Sequence, residues 1–363
     1  MPMDDNLQAK IKLHDSFWKR EDASRPLLSF RYGDRFPYDK MPAARQLMRR
    51  GLIITPDMID VDAFCAQTEA GLAFRSKESS FSDTIRGVAP FGGVPWLESL
   101  LGCGVMAMEH SFVSTACQKS PGDPDKVRIN NVWLDKYIEF LEKYSSRFGD
   151  AYPVTESLMR GCLDVYGALI GQEEMIYAFA DEPGVAAEML DRINRAHVDI
   201  VNLTLTYSKK IEGGMLHPYG LWAPGTVNQF QEDLCALVTP KQMKDFVVPL
   251  HSRMCGQFDY NSIHTHPTSY HAMPEQLSVG PLQLVQVQKD EGDPPIYNRI
   301  EIYQSVQKAG KCLLISADLS YDEVAALLDA LDVRGLYLSL TLEDNDSPER
   351  MYDFICERCA NKT

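Results

Sequence analysis

Short apolar runs and helical stretches alternate along most of this chain, and that rhythm limits its fold more than any other feature. A first run, PLLSF, occupies 26–30, and others follow at 152–158, 215–222, 258–263, 282–287, 312–316 and 336–340. Helical spacing of apolar positions recurs at 56–75, 131–147, 172–180, 183–210, 240–256, 298–309, 320–331 and 347–359. The runs read as near-continuously apolar, the pattern of parallel strands buried on both faces. About eight strand-loop-helix units predict an α/β protein, a (β/α)8 TIM barrel rather than a doubly wound sheet, because no Gly-rich nucleotide fingerprint follows the first strand. No low-complexity linker divides the chain, so residues 1–363 are expected to form a single domain, with 1–50 as a helical entry and first strand.

Charge and composition narrow the function classes. The chain has 36 Lys+Arg against 51 Asp+Glu, a net charge of -15, which opposes a polyanionic partner and sets nucleic-acid binding aside. No apolar run reaches the roughly 18 to 20 residues of a membrane helix. The opening MPMDDNLQAKIKLHDSFWKRED has no apolar secretion core, and the nine cysteines show no disulfide rhythm, so a cytoplasmic location is expected. Cys356 and Cys359 form one CxxC in an expected terminal helix, read as helix packing.

Candidate chemistry concentrates at 258–273, where three of the eight histidines fall. His264 and His266 follow an expected strand, two apart and on one side, where two imidazoles share a metal ion or simply sit among loop polar groups. Barrel sites form at the carboxyl ends of strands. That rule collects Arg31, Arg35, Asp83, Arg160, Tyr219, Trp222, His264, His266, Asp290, Glu291, Asp318, Glu343 and Asp344 at one mouth. For several of these a plainer role competes: Asp83 as a turn cap, and Tyr219 and Trp222 as core packing; Asp233, ahead of the Thr239-Pro240 helix start, reads equally as a pocket residue or a loop acid. His217 and His271 read as loop or core histidines, and the Gly/Pro-rich VAPFGGVPWLESLLGCGV as a loop over a cavity.

Three stretches, RGCLDVYGALIGQEEMIYAFADEPGVAAEMLDRI, QEDLCALVTPKQMKDFVVPL and IHTH, carry a resemblance to the uroporphyrinogen decarboxylase superfamily. That superfamily includes the zinc-dependent corrinoid methyltransferases and, more distantly, cobalamin-independent methionine synthase. DSFWKREDASRPLLSF and GVPWLESLLGCGV resemble its poorly characterised branch. The resemblance implies that Arg31 and Arg35 grip substrate carboxylates and that Asp83, in Phe81-Ser82-Asp83, is catalytic. Asp233 stands where the decarboxylases have a serine, and the family's tyrosine is replaced around Leu169, with Tyr166 close by. Their late histidine is missing from LSLTLEDND. On the methyltransferase side, His264 matches the first zinc ligand and His266 takes the place of a cysteine. The late cysteine is absent, leaving Glu343, Asp290 or Glu291 as the carboxylate ligand.

The resemblance therefore implies, first, a zinc-dependent enzyme moving a methyl group between a small donor and a corrinoid or thiol acceptor. A metal-free decarboxylase of a carboxylated aromatic or tetrapyrrole-like substrate is the alternative, and a non-catalytic binding module the third. Substrate contacts would come from Arg31, Arg35, Arg160, Tyr219 and Trp222, and catalysis from Asp83, Asp233, His264 and His266. A small-molecule substrate, a corrinoid protein and a second copy of the chain in a homodimer are the expected partners.

Overall fold

Seven strands pair in parallel to form the central sheet of the computed structural model. Their order across the sheet is Leu27–Tyr32, Leu336–Leu342, Cys312–Asp318, Leu284–Gln288, Tyr260–Thr265, Val227–Gln231 and Met159–Arg160. The structure describes residues 5–21, 23–32, 41–75, 81–290, 292–342 and 347–361, so Arg35, Glu291, Glu343 and Asp344 lie outside the described residues. The fold is mixed α/β, as the apolar rhythm predicts. At one edge, the Asp83 backbone N–H donates to the Leu28 carbonyl at 2.8 Å. Further along, Val88 makes an isolated parallel bridge to Val154, outside the seven-stranded sheet.

Each strand divides its residues between two faces. Leu28, Phe30, Ile263, Val285, Val287, Leu313 and Ile315 belong to one buried apolar cluster under the helices. The register explains the other face. Ser29 lies beside Ser339, Ser339 beside Ser316, and Ser316 beside Gln288, while His264 sits between Gln231 and Gln286. Polar residues thus form a belt on alternate positions, so these strands are not apolar on both faces.

The helices follow from capping and apolar spacing. Tyr321–Ala330 starts with a capping box in which the Ser320 hydroxyl accepts from the Glu323 N–H and the Glu323 carboxylate accepts from the Ser320 N–H. It buries Val324, Leu327 and Leu328, each contributing roughly 1.5–3 kcal/mol relative to exposure. Pro183–Tyr207 and Asn131–Phe148 match the expected stretches closely. Among the described residues no helix is long and apolar enough to cross a membrane.

Three departures have physical causes. Residues 215–222 are not a sheet strand, because Pro218 to Gly220 turn the chain back. The Gly220 N–H donates to the His217 carbonyl at 2.8 Å, and Met215–Leu216 pairs antiparallel with Trp222–Ala223. Gly220 has φ of +74°, which glycine adopts without strain. The sheet strand is instead Val227–Gln231, obscured by its polar residues. One of them, Asn228, is buried under a helix, where its Oδ1 is 2.9 Å from His197 Nε2 and its amide donates to Asn261. Finally, the Gly/Pro-rich stretch contains the helix Trp96–Leu100 and leads into a hairpin. There Gly104–Ala107 pairs antiparallel with Phe112–Thr115.

Candidate functional site

A cavity of about 900 Å³ opens at the carboxyl ends of the parallel strands. Its lining includes His264 and His266, which the two-residue period of Tyr260–Thr265 places on one side. His264 Nδ1 is hydrogen-bonded to Gln286 Oε1, its neighbour across the sheet. The Gln286 amide is oriented by its own N–H donating to the Val287 carbonyl at 2.9 Å, so Oε1 accepts. Tyr219 Oη also donates to that oxygen, at 3.2 Å. His266 Nδ1 lies 2.9 Å from both carboxylate oxygens of Asp290.

These contacts decide the tautomers. With both Nδ1 atoms donating to acceptors, both Nε2 atoms carry lone pairs. The two Nε2 atoms nevertheless face each other at 2.9 Å. Two acceptors in that position are satisfied only by a shared proton or a shared cation. Asp233 completes the group: its Oδ1 lies 4.0 Å from His266 Nε2 and is buried without a hydrogen-bond partner, while its Oδ2 accepts from the Gln231 amide. Ligand atoms of Asp233, His264 and His266 all lie within 4.8 Å of one another. Two imidazoles and a carboxylate are an ordinary donor set for zinc, so these residues fit that metal.

A second group, Cys162, Glu232 and His251, is fully buried. Its carboxylate already has partners: Glu232 accepts from the Leu163 and Asp164 N–H groups at the start of helix Cys162–Ile170, and His251 Nε2 lies 2.9 Å away. Burial pushes the Cys162 thiol well above its ordinary range, which keeps it protonated. Its geometry is that of a helix anchor.

Other expected residues are split between the cavity and the core. Arg31 lines the cavity, its Nε donating to Thr341 Oγ1 at 2.8 Å. Arg160 lines it too, bonded through Nη1 at 2.7 Å to the buried Glu98. Asp83 does not line it. Its carboxylate accepts from Arg25 Nη1 at 2.7 Å, Arg25 Nη2 at 2.9 Å and the Leu28 N–H at 2.8 Å. Trp222 is packed away from it, its indole N–H donating to the Ile211 carbonyl. Asp290 is on the Nδ1 side of His266 rather than beside the paired Nε2 atoms.

Sequence reasoning passed over Gln231 and Gln286, which line the cavity, and read His217 as a loop or core histidine; it is buried in a turn and also touches the cavity. For the glutamines the signal was present as the two-residue alternation of LVQVQ and VNQFQ. His217 accepts from the Tyr219 N–H through Nδ1 and therefore donates from Nε2 to Ser262 Oγ at 2.8 Å. Burial lowers its pKa to about 3, so it is neutral near pH 7.

No family model matches the chain, and no curated protein does. Among solved structures, a methyltransferase from Methanosarcina mazei is similar to it with a TM-score of 0.62. The match covers 98% of this chain and 99% of that one at 12% sequence identity, so the likeness is one of fold.

Proposed function

We propose that the protein is a zinc-dependent methyltransferase that moves a methyl group between a small donor and a corrinoid or thiol acceptor. His264, His266 and Asp233 would hold the metal. The observation that carries this reading is the convergence of two lone-pair-bearing Nε2 atoms and an unpartnered carboxylate oxygen at one end of the sheet. The full-length likeness of fold to a methyltransferase supports it. Bound by this donor set, zinc would leave a position for substrate and lower the pKa of a thiol placed there.

The chain's own residues prepare the site. Gln286 and Asp290 hold the imidazoles in the tautomer and orientation that present Nε2, the usual role of groups behind metal-binding histidines. Gln231 steadies Asp233, and Tyr219 braces Gln286. Arg31 brings positive charge to the wall and would orient an anionic group of the substrate. The cavity volume suits a small molecule. A corrinoid carried by a partner protein would present its methyl group at the mouth.

The fold reading belongs to the same proposal. We read the seven strands, with 82–88 and 153–158 between the edges, as the wall of a (β/α)8 barrel of the uroporphyrinogen decarboxylase kind. The decarboxylase alternative ranks second because it needs Asp83 at the substrate, whereas Arg25 holds that carboxylate off the cavity. To test methyl transfer, zinc-loaded protein would be mixed with methylcobalamin and a panel of small thiols. The readouts are loss of methyl–cobalt absorbance and the methyl thioether by mass spectrometry. Transfer that needs zinc and disappears in His264→Ala is expected; metal-loaded protein inactive with every thiol would count against the reading.

A further inference from the structure

The hairpin over the cavity has a cysteine at each root. Cys103 precedes strand Gly104–Ala107, and Cys117 lies two residues beyond strand Phe112–Thr115. The register pairs Gly104 with Thr115, which brings the roots side by side. The two thiols influence each other across the roots, and a methyl group on Gly102, the neighbour of Cys103, would stand 3.9 Å from Cys117 Sγ. Both thiols are free; Cys103 is buried and Cys117 exposed.

What these roots hold reaches into the site. His110, Ser111 and Phe112, at and beside the turn, line the main cavity. Val113, Ser114 and Ala116 line a second cavity of about 400 Å³, which also touches Arg160 and Asp233. On the Cys103 side, the Cys103 N–H donates to the Glu98 carbonyl, and the Glu98 carboxylate accepts from Arg160. On the other, the Cys117 N–H donates to the Leu169 carbonyl at the end of helix Cys162–Ile170. The hairpin is therefore a flap between two cavities, with the cysteines at its hinge.

We propose that Cys103 and Cys117 form a reversible disulfide that locks this flap in response to a small disulfide oxidant such as oxidised glutathione. The exposed Cys117 reacts first: its thiolate attacks the oxidant, releasing one thiol and leaving a mixed disulfide. Cys103 then loses its proton and attacks Cys117 Sγ, releasing the second thiol. Two electrons pass to the oxidant, whose two sulfurs leave as thiols with the two protons from the cysteines. The neighbouring Cys103 thiol lowers the Cys117 pKa, which favours the first step. In a reducing compartment such a bond is transient, the behaviour of a redox sensor.

The test uses the full chain, oxidised with glutathione disulfide and mapped by mass spectrometry of peptides. A Cys103–Cys117 link is expected, with the intact mass lower by two hydrogens. Amide hydrogen exchange over 104–115 should slow by about tenfold or more on oxidation and recover with dithiothreitol. Cys117→Ser, at an exposed position, should show neither change. A map in which Cys117 carries only glutathione, or in which Cys356 and Cys359 are the linked pair, would overturn the assignment. A Cys103–Cys117 link without slower exchange would overturn the flap lock.

Discussion

Replacing Asp83 by alanine should destabilise the protein while leaving the site's metal affinity intact. The Asp83 carboxylate accepts three hydrogen bonds, two from Arg25 and one from the Leu28 N–H that begins the first strand. The side chains of the pair are only 15% and 10% exposed. Removing one partner of such a pair leaves the other charge desolvated, at a cost of about 3–5 kcal/mol. Arg25 keeps one aromatic contact, its guanidinium 4.9 Å from the Tyr352 ring, which offsets a small part. Unfolding entropy scales with length, at roughly 0.8 kcal/mol/K for a chain this long, so Tm should fall by about 4–6 °C. Calorimetry on wild type, Asp83→Ala, Arg25→Ala and the double variant would check this. The double variant should be no less stable than Asp83→Ala, because the stranded charge is gone. A change below about 1 kcal/mol would refute the clamp, and lost metal affinity in a folded Asp83→Ala protein would return Asp83 to the site.

Asp290→Asn removes the carboxylate behind His266 and should weaken zinc binding about 10- to 100-fold by chelator competition, with the fold retained; unchanged affinity would show that the orientation does not matter. Gly161→Ala should be destabilising by about 1–3 kcal/mol in urea unfolding, since the added methyl would overlap Glu232 Oε1 and displace it from its helix; a neutral result would mean that Glu232 is not an anchor. His217 binds a proton only near pH 3 when folded but near 6.5 when unfolded. Unfolding therefore takes up a proton between those values, and stability falls as pH drops, by up to about 1.4 kcal/mol per unit. His217→Gln should lose that share of the slope between pH 6 and 5, and identical slopes in both proteins would contradict the buried neutral imidazole.

The α/β class and most helices were legible in the sequence because apolar period and capping are local signals. Ser320 and Glu323 show this: the spacing that starts a helix on paper closes a capping box in space. The His264 and His266 pair was legible too, since a two-residue offset at a strand end fixes which side both occupy. What remained hidden depends on partners far along the chain. Asp83 is engaged by Arg25, 58 residues away, and nothing local distinguishes that from a catalytic aspartate. Asp233 approaches the histidines only because neighbouring strands pair in register. Val227–Gln231 was missed because the polar groups of Asn228 are satisfied inside the protein, where a hydropathy reading counts them as surface.

Whether His264, His266 and Asp233 hold one metal ion is decided by elemental analysis of wild type, His264→Ala/His266→Ala and Asp233→Ala after zinc loading and gel filtration. One zinc per wild-type chain, none in the double-histidine variant and sharply reduced occupancy in Asp233→Ala are expected, all three folded. Wild-type protein that binds no zinc, or a double variant that retains it, would rule out a metal centre at these residues.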